Sequence, residues 1–267
     1  MLLALDIGNT ETVFGLHDGR NWLRHWRLAS AEGRTVDEFA AAINSLLSLS
    51  GYSLKEIDDM ALASVVPPLT AISRRFGQRY LGVEPLVVGA ESAGIEIIYE
   101  NPKSLGADRI ANAVAAYEIY RQALIVIDFG TATTMDYISP GGRFEGGLIA
   151  PGLMVTGQAL FQRTSQLPEV DVLKSADSLV ATDTVSAMTV GLFQGYVSLV
   201  EGLIAKLRAE VKTDPAVVAT GGLARIVAAQ TEALPKVEPD LTLEGIRLIL
   251  ERHRRTGAKR SGRSKGS

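Results

Sequence analysis

Cysteine is absent from this chain of 267 residues, and histidine occurs only three times. No disulfide frame and no thiolate chemistry are open to it, and so few His without Cys offer little from which to build a zinc site. Aromatic residues are sparse at 6%, with two Trp. No apolar run reaches the roughly 18 residues that a membrane-crossing helix needs, so no span is expected. Residues 1–5 read as a strand rather than the charged start of a cleavable leader, which makes a cytoplasmic enzyme the expectation. A large excess of one charge is also lacking, since the net charge is −3. That small value hides an asymmetry. From Arg252 onward the chain carries seven Lys or Arg and no acid, so the preceding residues sum to −10. This end has no aromatic to stack on a base. It is compatible with a nucleic-acid-binding tail and with a plain solubilising terminus, and disorder is expected of it.

Apolar residues make up 46% of the chain, enough for sizeable cores, and the length is comfortable for two domains. One short pattern occurs twice, 122 residues apart: LLALDIGNT at 2–10 and LIVIDFGTA at 124–132. Each is a continuous apolar run, the mark of a strand buried on both faces, closed by Asp, one apolar residue, Gly and small polar residues. Gly permits a tight turn and brings backbone N–H groups close to an anion. Thr10, Thr12, Thr131, Thr133 and Thr134 add hydroxyl donors. A carboxylate does not bind phosphate, so Asp6 and Asp128 require a cation, directly or through water. Taken singly, each copy also reads as an ordinary hairpin turn, because Gly and Asp dominate turns. Two copies followed by the same kind of strand favour a pair of phosphate loops.

The continuations match as well. Thr12 to Leu16 and Thr133 to Ile138 are short apolar segments. The turns His17-Asp18-Gly19-Arg20 and Ser139-Pro140-Gly141-Gly142 follow, then Trp22 to Leu28 and Arg143 to Ile149. Both halves therefore open with a three-strand meander, and the helical patterns that come later make the class α/β. The expected division is 1–117, 118–251 and a basic tail at 252–267.

In the first half, Thr35-x-x-Glu38 is a capping-box pattern ahead of helically spaced Phe39, Ile43, Leu46 and Leu47, with Gly51 ending the segment. Met60 to Val66 reads as a strand that Pro67-Pro68 stops, starting a helix. Trp22, Trp26 and the His beside them read as strand-face packing. Asp108 precedes a helical stretch, Ile110 to Tyr120, and falls in a loop or first turn. It reads as a helix cap or, beside phosphate loops, as the carboxylate that orients an acceptor hydroxyl and takes its proton. The adjacent Arg109 suits a substrate anion. Val185 to Leu207 is long and apolar, and Gly191, Gly195 and Gly202 suit close helix packing between subunits or within one.

DIGNT at 6–10, NPKSLGADR at 101–109, DFGTATT at 128–134, GGLIAPG at 146–152 and ATGGLA at 219–224 closely resemble, in order, the motifs of the type III pantothenate kinases. The resemblance runs from residue 1 to about 251. It implies an actin-like fold of two ribonuclease-H-like domains, each a mixed sheet flanked by helices. It implies phosphorylation of pantothenate by ATP, the first step of coenzyme A synthesis, by a homodimer that needs K⁺ or NH₄⁺ as well as Mg²⁺. Carried over by position, Asp6, Ile7, Gly8, Asn9, Thr10, Glu11, Thr12 and Val13 match the first ATP-phosphate loop. Asp128 matches the monovalent-cation ligand and Thr131 an ATP contact. Gly106, Ala107, Asp108 and Arg109 match the pantothenate-binding loop, with Asp108 as the base, and Tyr99 a further substrate contact. Gly221 and Gly222, after Thr220, match the adenosine-side loop. Thr184 matches a substrate-binding Thr, but Ala181-Thr182-Asp183 before it lacks the Gly and basic residue of that motif.

The residues alone describe something coarser, an ATP-dependent phosphotransferase acting on a small anionic alcohol. Two rivals share the pattern. One is another phosphotransferase or a polyphosphate hydrolase of the same fold, which as a hydrolase would turn over without an organic acceptor. The other is a non-catalytic ATP-binding protein using its basic tail on nucleic acid. Neither a membrane nor a nucleic acid is an expected partner.

Overall fold

The computed structural model describes residues 1–174 and 178–263, with side chains as far as Arg255. It forms two compact units. The first comprises residues 1–119 together with the chain from Asp240 onward, and the second residues 120–239.

The first unit holds a five-stranded sheet in the order β3-β2-β1-β4-β5. Its strands are β1 (Leu2–Ile7), β2 (Glu11–His17), β3 (Trp22–Ala29), β4 (Asp59–Ser64) and β5 (Leu86–Val87). The expected meander β1-β2-β3 is antiparallel, whereas β4 runs parallel to β1. Helices α1 (Val36–Leu49) and α2 (Pro67–Phe76) supply Phe39, Ile43, Leu47, Leu69 and Phe76 to a core with Leu3, Leu5 and Ile7 of β1. The capping box forms: the Glu38 N–H donates to Thr35 Oγ1 at 3.2 Å and the Thr35 N–H to Glu38 Oε2 at 2.8 Å. The alternate residues Ala4, Ala61 and Ala63 are fully buried as well, and α7 (Leu241–Arg263) packs on β1 and β4. A strand covered on both sides needs apolar residues at every position, which is why β1 reads as an unbroken run.

Helix α7 departs from two expectations. The sequence division placed residues up to 251 in the second half, yet the chain from Asp240 joins the first unit, where Leu243, Ile246, Ile249 and Leu250 are buried. Helix also continues to Arg263 where disorder was expected from Arg252. Arg252 donates to Glu118 at 2.7 Å and Arg254 pairs with Asp59, anchors that composition does not disclose. Residues 264–267 of that tail lie outside the described residues. Trp22 and His25 pack as a strand face: Trp22 Nε1 donates to Glu244 at 3.2 Å, and its ring meets His17 and His25 edge-on.

The second unit repeats the plan with four strands, β8-β7-β6-β9. They are β6 (Leu124–Phe129), β7 (Ala132–Ile138), β8 (Phe144–Pro151) and β9 (Ala216–Thr220). Again three are antiparallel, and β9 pairs parallel with β6. Both meanders carry an irregularity at the same place, Leu16/His17 and Tyr137/Ile138. Helices α4 (Leu153–Gln162), α5 (Thr184–Val211) and α6 (Ala224–Ala228) complete the unit. Among the described residues α5 is the one helix long and apolar enough to cross a membrane, although it holds no unbroken apolar run of that length. Phe193, Tyr196, Val197, Val200 and Ile204 instead place one side of it in the core of the unit, against Ile125, Ile127 and Phe129.

Candidate active site

In the first unit, β1 ends at Ile7 and the chain turns through Gly8, Asn9 and Thr10 into β2. The Gly8 N–H donates to the Glu11 carbonyl at 3.0 Å and closes the turn. Asp6 is half-buried, while Asn9, Thr10 and Glu11 are exposed. Thr12 is not: it is 2% exposed, opposite Ile7 in the ladder, with its hydroxyl 3.0 Å from Ser30 Oγ. Ser30 in turn donates to the Gly8 carbonyl at 2.6 Å. Of the eight residues matched to the first loop, Gly8 to Glu11 form its open part, and the side chains of Ile7 and Thr12 point into the unit.

The Val65 N–H donates to the Ile7 carbonyl at 3.1 Å, so the chain leaving β4 is tied to the end of β1. A Cβ on Gly106 would lie 3.6 Å from the Val65 side chain and in conflict with Asp108 Oδ1. The Gly106–Arg109 segment thus reaches the same end of the sheet as the first loop. Helix α3 (Ala107–Tyr120) carries Asp108 in its first turn, where Oδ1 accepts the Arg109 N–H at 2.8 Å. Desolvation pushes the Asp108 carboxyl above the ordinary carboxylate range, against the Arg109 N–H and the Arg109 charge, which pull it down. Arg109 itself is only 6% exposed. Tyr99 is half-buried in the irregular segment that precedes the single helical turn Pro102–Ser104.

In the second unit the turn is one residue shorter, Gly130 and Thr131, because Asp128 opposes Thr134 where Asp6 opposes Val13. The Gly130 N–H donates to the Ala132 carbonyl at 3.2 Å. Thr131 is exposed and Asp128 half-buried. Thr133, the counterpart of Thr12, is fully buried, and its hydroxyl meets Tyr196 Oη at 2.5 Å. Two glycines flank the turn. A Cβ on Gly221 would fall 2.5 Å from Asp128 Oδ1 and 2.7 Å from the Phe129 backbone, and Gly221 holds φ at +91°. A Cβ on Gly152 would run into the carbonyls of Thr131 and Gly130. Gly222 is exposed beside Gly221. Thr184 is the exposed first residue of α5, and Asp183 caps that helix by accepting the Ser186 N–H at 2.9 Å.

Among the described residues, no three His, Cys, Asp or Glu side chains converge to hold a metal ion. A cation at Asp6 or Asp128 would have its shell completed by backbone carbonyls, water or phosphate oxygens, an all-oxygen set that suits hard cations such as Mg²⁺ and K⁺. Gly221 brings bare backbone against Asp128 at a point where a side chain would collide with its Oδ1.

The profile of the type III pantothenate kinase family matches residues 2–206. The chain belongs to that family. It is 47% identical over 255 residues to the type III pantothenate kinase of Geobacter sulfurreducens, covering 95% of this chain and all of that one. It is 45% identical to that of Syntrophobacter fumaroxidans, over 96% of this chain and 99% of the relative. Among solved structures it is similar to a Campylobacter jejuni protein described as a Baf family transcriptional activator. That match has a TM-score of 0.62 at 21% identity, over 95% of this chain and 99% of that one. It is also similar to component A of the (R)-2-hydroxyglutaryl-CoA dehydratase of Acidaminococcus fermentans, with a TM-score of 0.51 at 17% identity over 92% and 94% of the two chains. At such identities these structures support the fold alone, the two-part α/β actin-like architecture expected of a type III pantothenate kinase.

Two residues at the loops escaped the sequence reading. Gly152 closes the quoted motif GGLIAPG, so a signal existed without a role. Ser30 lies in no motif, and nothing local in its neighbourhood marks it.

Proposed function

We propose that the first-unit loop Gly8–Glu11 and the second-unit turn Gly130–Thr131 bind the phosphates of ATP, and that Asp108 serves the acceptor. As a type III pantothenate kinase, the chain phosphorylates pantothenate with ATP to 4′-phosphopantothenate in coenzyme A synthesis. The observation that carries the assignment of roles is the desolvated carboxylate of Asp108 at the same end of the first sheet as the loop after Asp6.

A primary alcohol is a very weak acid, so its proton must leave as the new bond forms. In the proposed step the pantothenate hydroxyl oxygen bonds to the γ-phosphorus, and the bond from that phosphorus to the β–γ bridging oxygen breaks. The hydroxyl proton passes to Asp108, and ADP leaves with the bridging oxygen. The raised pKa makes Asp108 a better proton acceptor than an exposed carboxylate. The backbone N–H of Asn9 and the hydroxyls of Thr10 and Thr131 stabilise phosphate charge. Thr12, with its hydroxyl turned inward onto Ser30, shapes the loop. Gly221 and Gly222 lie on the adenosine side, where bare backbone allows close approach.

Asp6 and Asp128 would repel ATP unless cations lie between. Asp128 would hold a monovalent cation, K⁺ or NH₄⁺, and Mg²⁺ would accompany ATP; when bound, these ions would screen the carboxylates and the phosphates from one another. Tyr99, Arg109 and Thr184 are assigned to pantothenate. Arg109 is buried, and its charge pulls the Asp108 carboxyl down against the desolvation that raises it. For Thr184 the support is position alone, at an exposed helix start. The protein acts in the cytoplasm as a homodimer, for which the exposed Val185 and Leu199 of α5 offer apolar surface. The deciding experiment is coupled ADP release by the purified protein with ATP, Mg²⁺ and K⁺. Release that depends on pantothenate supports the reading, and equal release without it refutes it.

A further inference from the structure

Ser30 lies just past the end of β3 and makes three contacts to the first loop. Its backbone N–H donates to the Thr10 carbonyl at 2.9 Å. Its hydroxyl donates to the Gly8 carbonyl at 2.6 Å, and the Thr12 hydroxyl lies 3.0 Å from the same oxygen. A serine hydroxyl has one proton. With that proton on Gly8, the contact to Thr12 is completed by the Thr12 proton, and both hydroxyls are spent on internal bonds.

These contacts set the direction of the loop amides. The chain has no cis peptide, and in a planar trans peptide the C=O and the following N–H point in opposite directions. Drawing the carbonyls of Gly8 and Thr10 toward Ser30 therefore turns the N–H groups of Asn9 and Glu11 away from it. They do so in a stretch whose side chains at Asn9, Thr10 and Glu11 are exposed. We propose that Ser30 is a positioning residue for ATP: its hydroxyl, backed by Thr12, holds the Gly8–Asn9 peptide in the orientation that presents its amide to phosphate. The inference rests on the phosphate-binding reading of the loop.

Without the hydroxyl, the Gly8 carbonyl loses its internal acceptor role and the peptide is free to rotate. ATP must then order it on binding, at a cost felt by ATP and not by pantothenate. Steady-state kinetics with ATP and pantothenate varied separately tests this in wild type, Ser30→Ala and Ser30→Thr. Ser30→Ala is expected to raise KM for ATP about five- to tenfold, the value of one lost hydrogen bond, with KM for pantothenate unchanged. Ser30→Thr, which keeps the hydroxyl, is expected to restore KM for ATP. A merely structural role would lower the melting temperature and the active fraction but leave KM for ATP in place. That outcome overturns the proposal, as does a parallel rise of both KM values. If Ser30→Ala is recovered unfolded, Ser30→Cys, similar in size and a weak donor, carries the same comparison. A wild type that binds ATP by calorimetry but shows no pantothenate-dependent turnover would refute the kinase reading instead. The ATP affinities of the same variants would still decide the role of Ser30.

Discussion

The carboxylate of Asp108 occupies the space that a side chain on Gly106 would need: the methyl of an alanine there would overlap Oδ1. The glycine and the acid are thus one device. The chain can bring a charged side chain back over the residue two positions earlier because that residue has none. Gly106→Ala should move the carboxylate and lower kcat by at least about tenfold, since small misplacements at a reacting centre are costly. Wild-type turnover in this variant, measured by coupled ADP release, would show that the position of Asp108 does not matter.

Asp108→Asn keeps size and capping ability but removes the proton acceptor. A fall in kcat of about 10²–10⁴-fold is expected, and a loss under threefold would exclude the base role. The stability effect has the other sign. The carboxyl pKa is raised in the folded state by desolvation. Below the ordinary value near 3.8, folded and unfolded chains are both protonated there and burial of charge costs nothing. As pH rises from that value through the raised folded pKa, the cost accumulates, and above it the cost is complete. At neutral pH, Asp108→Asn should therefore melt no lower than wild type while losing activity. In wild type, kcat should fall as pH is lowered through an apparent pKa above the usual carboxylate value.

Replacing K⁺ by Na⁺ at constant ionic strength should depress turnover strongly, and NH₄⁺ should restore it. The motive is the repulsion expected if Asp128 lies beside the polyphosphate as proposed, roughly 4 kcal/mol per close unit-charge pair where screening is partial. Equal rates in the three salts would remove the cation from Asp128.

Gly221→Ala should act on that same residue from the other strand. Its Cβ would press on Asp128 Oδ1 at 2.5 Å, and φ at +91° already disfavours any side chain. A destabilisation of about 1–3 kcal/mol is expected from the backbone alone, read as a lower melting temperature. If ATP affinity and cation dependence both survive unchanged, Asp128 and the loop after β9 do not share a site.

The homodimer is checked by light scattering at micromolar concentration, where twice 28.5 kDa is expected. A mass near a single chain would reject it.

Much of this protein is legible in local sequence because the features concerned are local in physics. The two strand–turn elements, the capping box at Thr35 and Glu38, and the proline that opens α2 each depend on residues a few positions apart. The hydroxyls around the loops do not. Thr10 and Thr131 face out, whereas Thr12 and Thr133 face in, toward Ser30 and Tyr196, residues 18 and 63 positions away. Residues two apart in a strand share a face, so alternation alone would not separate them; Thr10 and Thr131 lie in the turns, whereas Thr12 and Thr133 are held in the ladders opposite Ile7 and Phe129. The same holds for α7. Leu243, Ile246, Ile249 and Leu250 are buried, but only the available surface of β1 and β4 decides that the chain from Asp240 returns to the first unit. Sequence by itself determined the two strand–turn elements, the helix starts at Thr35 and Pro67, and the family of chemistry. Tertiary structure decided which of the named side chains are free to meet a ligand, because burial and hydrogen-bond partners belong to pairs of segments and not to either segment alone.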